Sequence, residues 1–107
     1  ALLAARRKPW ADARTQEVAQ GFLRAASSAA QAHGLPGLDQ VTLYPPVPLT
    51  IQRVAQVERA QMLVESSNRT ALQRFLAAWQ PVLQATRNQP EHKGLVRWLV
   101  DVDPLAI

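Results

Sequence analysis

A chain of 107 residues with 48 % hydrophobic side chains can build one domain around one modest core, and is too apolar to remain disordered. Its formal charge is +4, and most of the cations are Arg, whose planar fork suits phosphate and whose face stacks on bases, so a polyanionic partner is in view. With no cysteine there are no disulfides, Cys-ligated zinc sites or cysteine nucleophiles, which fits a reducing, cytoplasmic setting, and no apolar run nears the roughly 20 residues of a membrane helix.

The opening run, Ala1 to Arg6, reads as a short strand with apolar residues on both sides, and so as a central one. Its charges follow the apolar residues, the reverse of a secretory signal, and a start on Ala1 predicts a segment cut from a longer protein. Arg6-Arg7-Lys8-Pro9 breaks the strand, Trp10 follows, and Asp12 is the expected N-cap of a helix from Ala13 to about His33. Val18, Phe22, Ala25, Ala26 and Ala29 form its apolar stripe, with Gly34 as C-cap and Pro36-Gly37 as the exit turn. Gly21 inside this helix carries a propensity penalty, which points to close packing there.

Val41 to Tyr44 is the second predicted strand. Pro45, Pro46 and Pro48 then remove three N–H donors, which predicts an extended arm or wide loop at the sheet edge to about Gln56. Alternation resumes from Val57 to Glu65, with Ala60, Met62 and Val64 on one face and Arg59, Gln61 and Leu63 on the other. Ser66-Ser67-Asn68 caps a second helix from Arg69 to Arg87, striped by Leu72, Phe75, Leu76, Trp79, Val82 and Leu83, with Pro81 expected to bend it or split off its last turn. After a polar loop, the last strand runs from Leu95 to Asp103. Val96, Trp98, Val100 and Val102 face inward, Arg97, Leu99, Asp101 and Asp103 face outward, and Pro104 ends it. The order strand, helix, strand, strand, helix, strand predicts one α+β domain over 1–107 with the ferredoxin-like split βαβ plan (βαββαβ). In that plan two helices lie on one face of a four-stranded, mainly antiparallel sheet and the other face stays open.

Pro46-Val47-Pro48, Arg53, Arg59-x-Gln61-x-Leu63, Asn68-Arg69-x-x-Leu72 and Val96-Arg97-Trp98-x-x-Asp101-Val102-Asp103-Pro104 together resemble the C-terminal domain of primosomal protein N′, the PriA-type replication-restart DNA helicases of bacteria. The resemblance spans most of 41 to 104 and departs from the family at Pro45, Gln56, Glu58 and Ala60. It implies a parent with ATP-driven helicase lobes and a cysteine-rich zinc region, in which this domain has a fold like a small ribosomal protein, contacts DNA and packs on the helicase core. Neither a P-loop nor an acidic helicase box is present here, so ATP and zinc belong to the parent and no cofactor is expected in this chain.

Two basic sets are candidate DNA contacts. Arg6, Arg7 and Lys8 beside Trp10 could track phosphates and stack a base, and the alternative is a solvated strand end with Trp10 stapled on the first helix. Arg53, Arg59, Arg69 and Arg97 form the second set, with Arg59 and Arg97 predicted to share the open sheet face. For these the alternatives are cross-strand pairing with Glu58, Glu65, Asp101 or Asp103, and docking onto the helicase lobes without DNA contact. Asp101 with Asp103, and His33 with His92, lack the neighbours a metal site or a catalytic centre needs. The expected partners are therefore single-stranded or forked DNA, the helicase lobes and other primosome proteins, and no membrane.

Overall fold

Prolines mark two of the breaks between strands. The computed structural model describes residues 5–49 and 57–100, and within them seven strands and two α-helices alternate. The predicted opening strand, Ala1 to Arg6, contributes β1 (Ala5–Arg7), and after Lys8-Pro9 the chain forms β2 (Trp10–Ala13), where the sequence predicts the start of a helix. Next come β3 (Thr42–Leu43) and β4 (Val47–Leu49), parted by Pro45-Pro46. The third predicted strand becomes β5 (Glu58–Gln61) and β6 (Val64–Ser66), and β7 is Leu95–Leu99. Two antiparallel sheets result, in the orders β1-β6-β3 and β4-β5-β2-β7.

The two sheets are halves of one ladder. Ala5 pairs with Ser66 and Trp10 with Gln61 in the same register, and across the gap the Met62 N–H donates to the Pro9 carbonyl at 3.0 Å. Rejoining the halves gives the order second, third, first, fourth, which is the ferredoxin-like α+β plan expected from the sequence. The central position expected of the opening run falls on β2, while β1 is the outer strand of its own three-stranded sheet. Part of the predicted arm is a strand: β4 carries Pro48 on the outside of the four-stranded sheet, where a missing donor is tolerated.

One sheet face is covered by α1 (Gln16–His33) and α2 (Arg69–Arg87). Ala11, Ala13, Ala60, Met62 and Val64 from the strands meet Phe22, Leu23, Ala26, Leu72, Phe75, Leu76 and Trp79 from the helices in one buried cluster. The inward trio Ala60, Met62 and Val64 is buried as the alternation requires. Small residues in β2 let the helices approach closely.

Helix α1 begins three residues later than expected. Its N-cap is Thr15, whose Oγ1 accepts the Val18 N–H at 3.1 Å, because Asp12 is committed to the extended backbone of β2. Gly34 closes it at φ 58°, as predicted. The buried stripe is Ala19, Phe22, Leu23, Ala26 and Ala30, turned slightly from the expected one. Gly21 does not serve close packing: a Cβ there meets nothing within 4 Å. Gly21→Ala is therefore expected to stabilise the fold by about 1 kcal/mol, read as a rise of about 4 °C in thermal midpoint. An unchanged or lowered midpoint would mean that the helix uses the flexibility of this position.

Asn68 caps α2, its Oδ1 accepting the Ala71 N–H at 3.1 Å, and the helix continues through exposed Pro81 to Arg87 without a separate last turn. The loop after α1 lies tight on the first turn of α2. Gly37, at φ 81°, would place a Cβ 2.6 Å from the Ala71 carbonyl oxygen, so glycine is required there.

In β7 the inward face differs from simple alternation. Leu99, Trp98 and Arg97 oppose Trp10, Ala11 and Asp12, but Ala13 opposes Leu95, so Val96 is an extra residue in a β-bulge. Leu95 takes the inward slot and Val96 is exposed, while Val100 is buried and Trp98 packs against Phe22 with ring centroids 5.9 Å apart. The predicted continuation through Asp101, Val102 and Asp103 lies outside the described residues.

Candidate nucleic-acid interface

Strand β2 alternates small and large residues. Ala11 and Ala13 are sealed beneath the helices, so Trp10 and Asp12 point to the opposite face, which no helix among the described residues covers. Register then sets the neighbours. One row across the sheet is Arg97, Asp12, Arg59 and Leu49, and the next is Leu99, Trp10, Gln61 and Val47.

Asp12 is the hub of the first row. Its side chain is 1 % exposed. Oδ1 accepts the Arg59 Nε–H at 2.6 Å and Oδ2 accepts Arg59 Nη2 at 2.9 Å, a bidentate pair. Oδ2 also accepts the Arg97 Nε–H at 3.0 Å. Burial pushes the Asp12 carboxyl up, but the hydrogen bonds and charges of the two guanidinium groups outweigh it and hold the group below its ordinary value. The same pair raises Arg59 further.

The Arg59 guanidinium lies over Trp10, its Cζ 3.9 Å from the ring centroid, and that of Arg97 is 5.7 Å away. Arg59 is held from behind as well, its carbonyl accepting Gln16 Nε2 at 2.5 Å from the first turn of α1.

A second cluster continues the face along β1 and β6. Glu65 accepts Arg6 Nε at 2.8 Å and the Tyr44 hydroxyl at 3.0 Å. These bonds, Arg6 first, lower the Glu65 carboxyl, and Tyr44 is raised by its bond to Glu65. Between the clusters lies a groove of about 220 Å³ lined by Lys8, Tyr44, Pro45, Val47, Gln61 and Leu63, with Met62 at its floor. The face thus gathers Arg6, Lys8, Arg59 and Arg97 against two carboxylates, Asp12 and Glu65.

The candidate residues divide accordingly. Arg59 and Arg97 share the open face as expected, but their partner is Asp12 rather than Glu58, and Glu65 pairs with Arg6. Trp10 is not a staple on α1. It is a residue of the sheet face under Arg59, because the chain re-enters the ladder immediately after Pro9. Arg7 is half-buried and its Nη1 donates to the Arg6 carbonyl at 2.7 Å. Arg69 stands apart from this face, exposed in the first turn of α2, and Arg53, Asp101 and Asp103 lie outside the described residues.

Asp12 is the residue that sequence reasoning misplaced. The signal was the Trp10-Ala11-Asp12-Ala13 alternation, which suits a strand better than a helix start. His92 is buried, its Nδ1 2.8 Å from the Thr86 carbonyl and its ring edge-on to Phe22, while His33 is exposed. Among the described residues no three His, Asp or Glu side chains gather as a metal site.

A ferredoxin-like sheet, backed by two helices and carrying arginines on a face that no helix among the described residues covers, defines a small α+β module. No helix of the described residues is long and apolar enough to cross a membrane. The chain belongs to the primosomal protein N C-terminal domain family, which matches residues 10–105, and so to the proteins of the primosome and of replication restart.

Proposed function

We propose that this domain is a non-catalytic DNA-binding module that holds single-stranded or forked DNA on its helix-free face, contacting phosphates with little base readout. The observation that carries this reading is Trp10 in the middle of a sheet face that no helix among the described residues covers, under Arg59 and beside Arg97, with Lys8 and Arg6 extending the positive charge along one direction. A strand of DNA laid along that line meets cations for its backbone. Membership in a primosomal family supports a polyanionic partner over an acidic protein.

Titration of the chain with labelled single-stranded DNA at two salt concentrations tests it. Binding should weaken with salt by roughly 0.7 log unit per log unit for each phosphate contact. Lys8→Glu reverses an exposed charge that makes no ion pair among the described residues, so it should weaken binding and flatten the salt dependence without altering the thermal midpoint. No binding at low salt overturns the reading.

A second reading is a structural brace docked on the helicase lobes of a parent chain. Exposed Val47 and Leu49 on β4 and Leu99 on β7 favour it, since they interleave with the charged rows. It predicts no DNA binding by the chain alone, and burial of Val47 and Leu99 in the presence of the lobes or of other primosome proteins.

A further inference from the structure

Two arginines flank Asp12, yet they are held differently. Arg59 gives Asp12 both Nε and Nη2, spreads over Trp10 at 3.9 Å, and leaves its side chain only 21 % exposed. Arg97 gives Asp12 its Nε alone, and its side chain is 64 % exposed. A guanidinium anchored through Nε alone keeps N–H groups on its two terminal nitrogens for a second acceptor, and these form the end-on fork that grips a phosphate. The anchor is rigid: Asp12 is buried in the central strand and locked in place by Arg59. Anchoring removes part of the rotamer entropy that a free arginine would lose on binding.

We infer that Arg97 is the residue of this face that grips a backbone phosphodiester, aimed by Asp12, while Arg59 is a positioning residue that neutralises Asp12 and covers Trp10 without touching DNA. This rests on the DNA-binding reading and assigns unequal roles within it. The β-bulge contributes to the geometry. By inserting Val96 next to Arg97, it restores the inward packing of Leu95 while leaving Arg97 directly opposite Asp12.

Two substitutions at position 97 separate charge from aim. Arg97→Gln should reduce the salt slope for single-stranded DNA by about 0.7, one phosphate contact. Arg97→Lys keeps the charge but has neither an Nε anchor nor a fork, so the slope should stay while affinity falls about tenfold. Both variants retain the Arg59–Asp12 pair, and their thermal midpoints check that the fold persists. As a direct readout, the Nε and Nη proton resonances of Arg97 should shift on adding the oligonucleotide while those of Arg59 stay fixed. Inorganic phosphate at equal phosphate concentration should leave both unmoved, which separates a DNA backbone site from a free-anion site.

Wild-type affinity in Arg97→Lys, or resonance shifts at Arg59 but not Arg97, overturns the assignment while leaving DNA binding by the face intact. A wild-type chain that binds no DNA removes the premise instead.

Discussion

Asp12→Asn lowers the stability of the fold by about 3 kcal/mol at neutral pH, and the loss shrinks as the pH falls. The carboxylate is 1 % exposed and is the common acceptor of Arg59 and Arg97. An asparagine of the same shape offers one oxygen and turns an NH₂ toward a guanidinium. Removing one member of a buried pair leaves the other charge uncompensated, at a cost of about 3–5 kcal/mol. The lower end applies because Arg59 is partly exposed and Arg97 largely so, which lets water recover some of the loss.

The sign of the pH dependence follows from the lowered Asp12 carboxyl. A carboxyl held below its unfolded value, about 3.9, stabilises the fold fully above that value and loses its contribution as pH drops through the folded one. Wild type should therefore lose stability from about pH 4 downward, whereas Asp12→Asn should lose less over the same interval. Surface Glu65, also lowered, titrates in the same sense and leaves the variant some acid sensitivity. Urea melts at neutral pH and at about pH 2.5 measure both effects. Equal slopes against pH in the two proteins would remove Asp12 from the role described.

The sequence carried the plan of the fold because both helices and the third strand are strongly patterned. Asn68, Arg87 and Gly34 mark helix limits by local chemistry, which does not depend on distant residues. Ala60, Met62 and Val64 alternate cleanly, so their burial follows. What it concealed depends on pairing. Trp10 to Ala13 alternates, but over only four residues, too few to outweigh Asp12 as a helix cap, and it is β5 and β7 on either side that make it a strand. The same holds for Val47-Pro48-Leu49, whose proline argues against a strand until β5 supplies a partner on one side only. The Val96 bulge is likewise invisible, since Leu95 and Val96 are equally apolar and only the Ala13 register selects between them. The candidate face inherits this division. Parity alone puts Arg59 and Arg97 on one face, but the carboxylate that joins them requires the tertiary pairing of β2.

Trp79→Ala should be the most damaging substitution in the helical layer, and Trp79→Phe a mild one. Trp79 is fully buried, stacks on Phe75 with centroids 5.3 Å apart, and donates its indole Nε1–H to the Ala26 carbonyl at 2.9 Å. That bond ties α2 to α1 at the centre of the layer. Truncation to alanine removes a large apolar volume, leaves a cavity between the helices, and costs about 4 kcal/mol. In a domain of this size that lowers the thermal midpoint by about 20 °C. Phenylalanine keeps most of the volume and the contact with Phe75. The Ala26 oxygen, as a helical carbonyl, retains its intrahelical donor, so no buried acceptor is orphaned. The loss should then be about 1–2 kcal/mol, the indole bond plus a small void. Thermal and urea melts of the two variants decide the matter. If Trp79→Phe were as damaging as Trp79→Ala, the bond to Ala26 rather than the packed volume would join the helices. If Trp79→Ala were mild, α2 could close over the gap, and the sheet rather than the helix pair would set the stability of the domain.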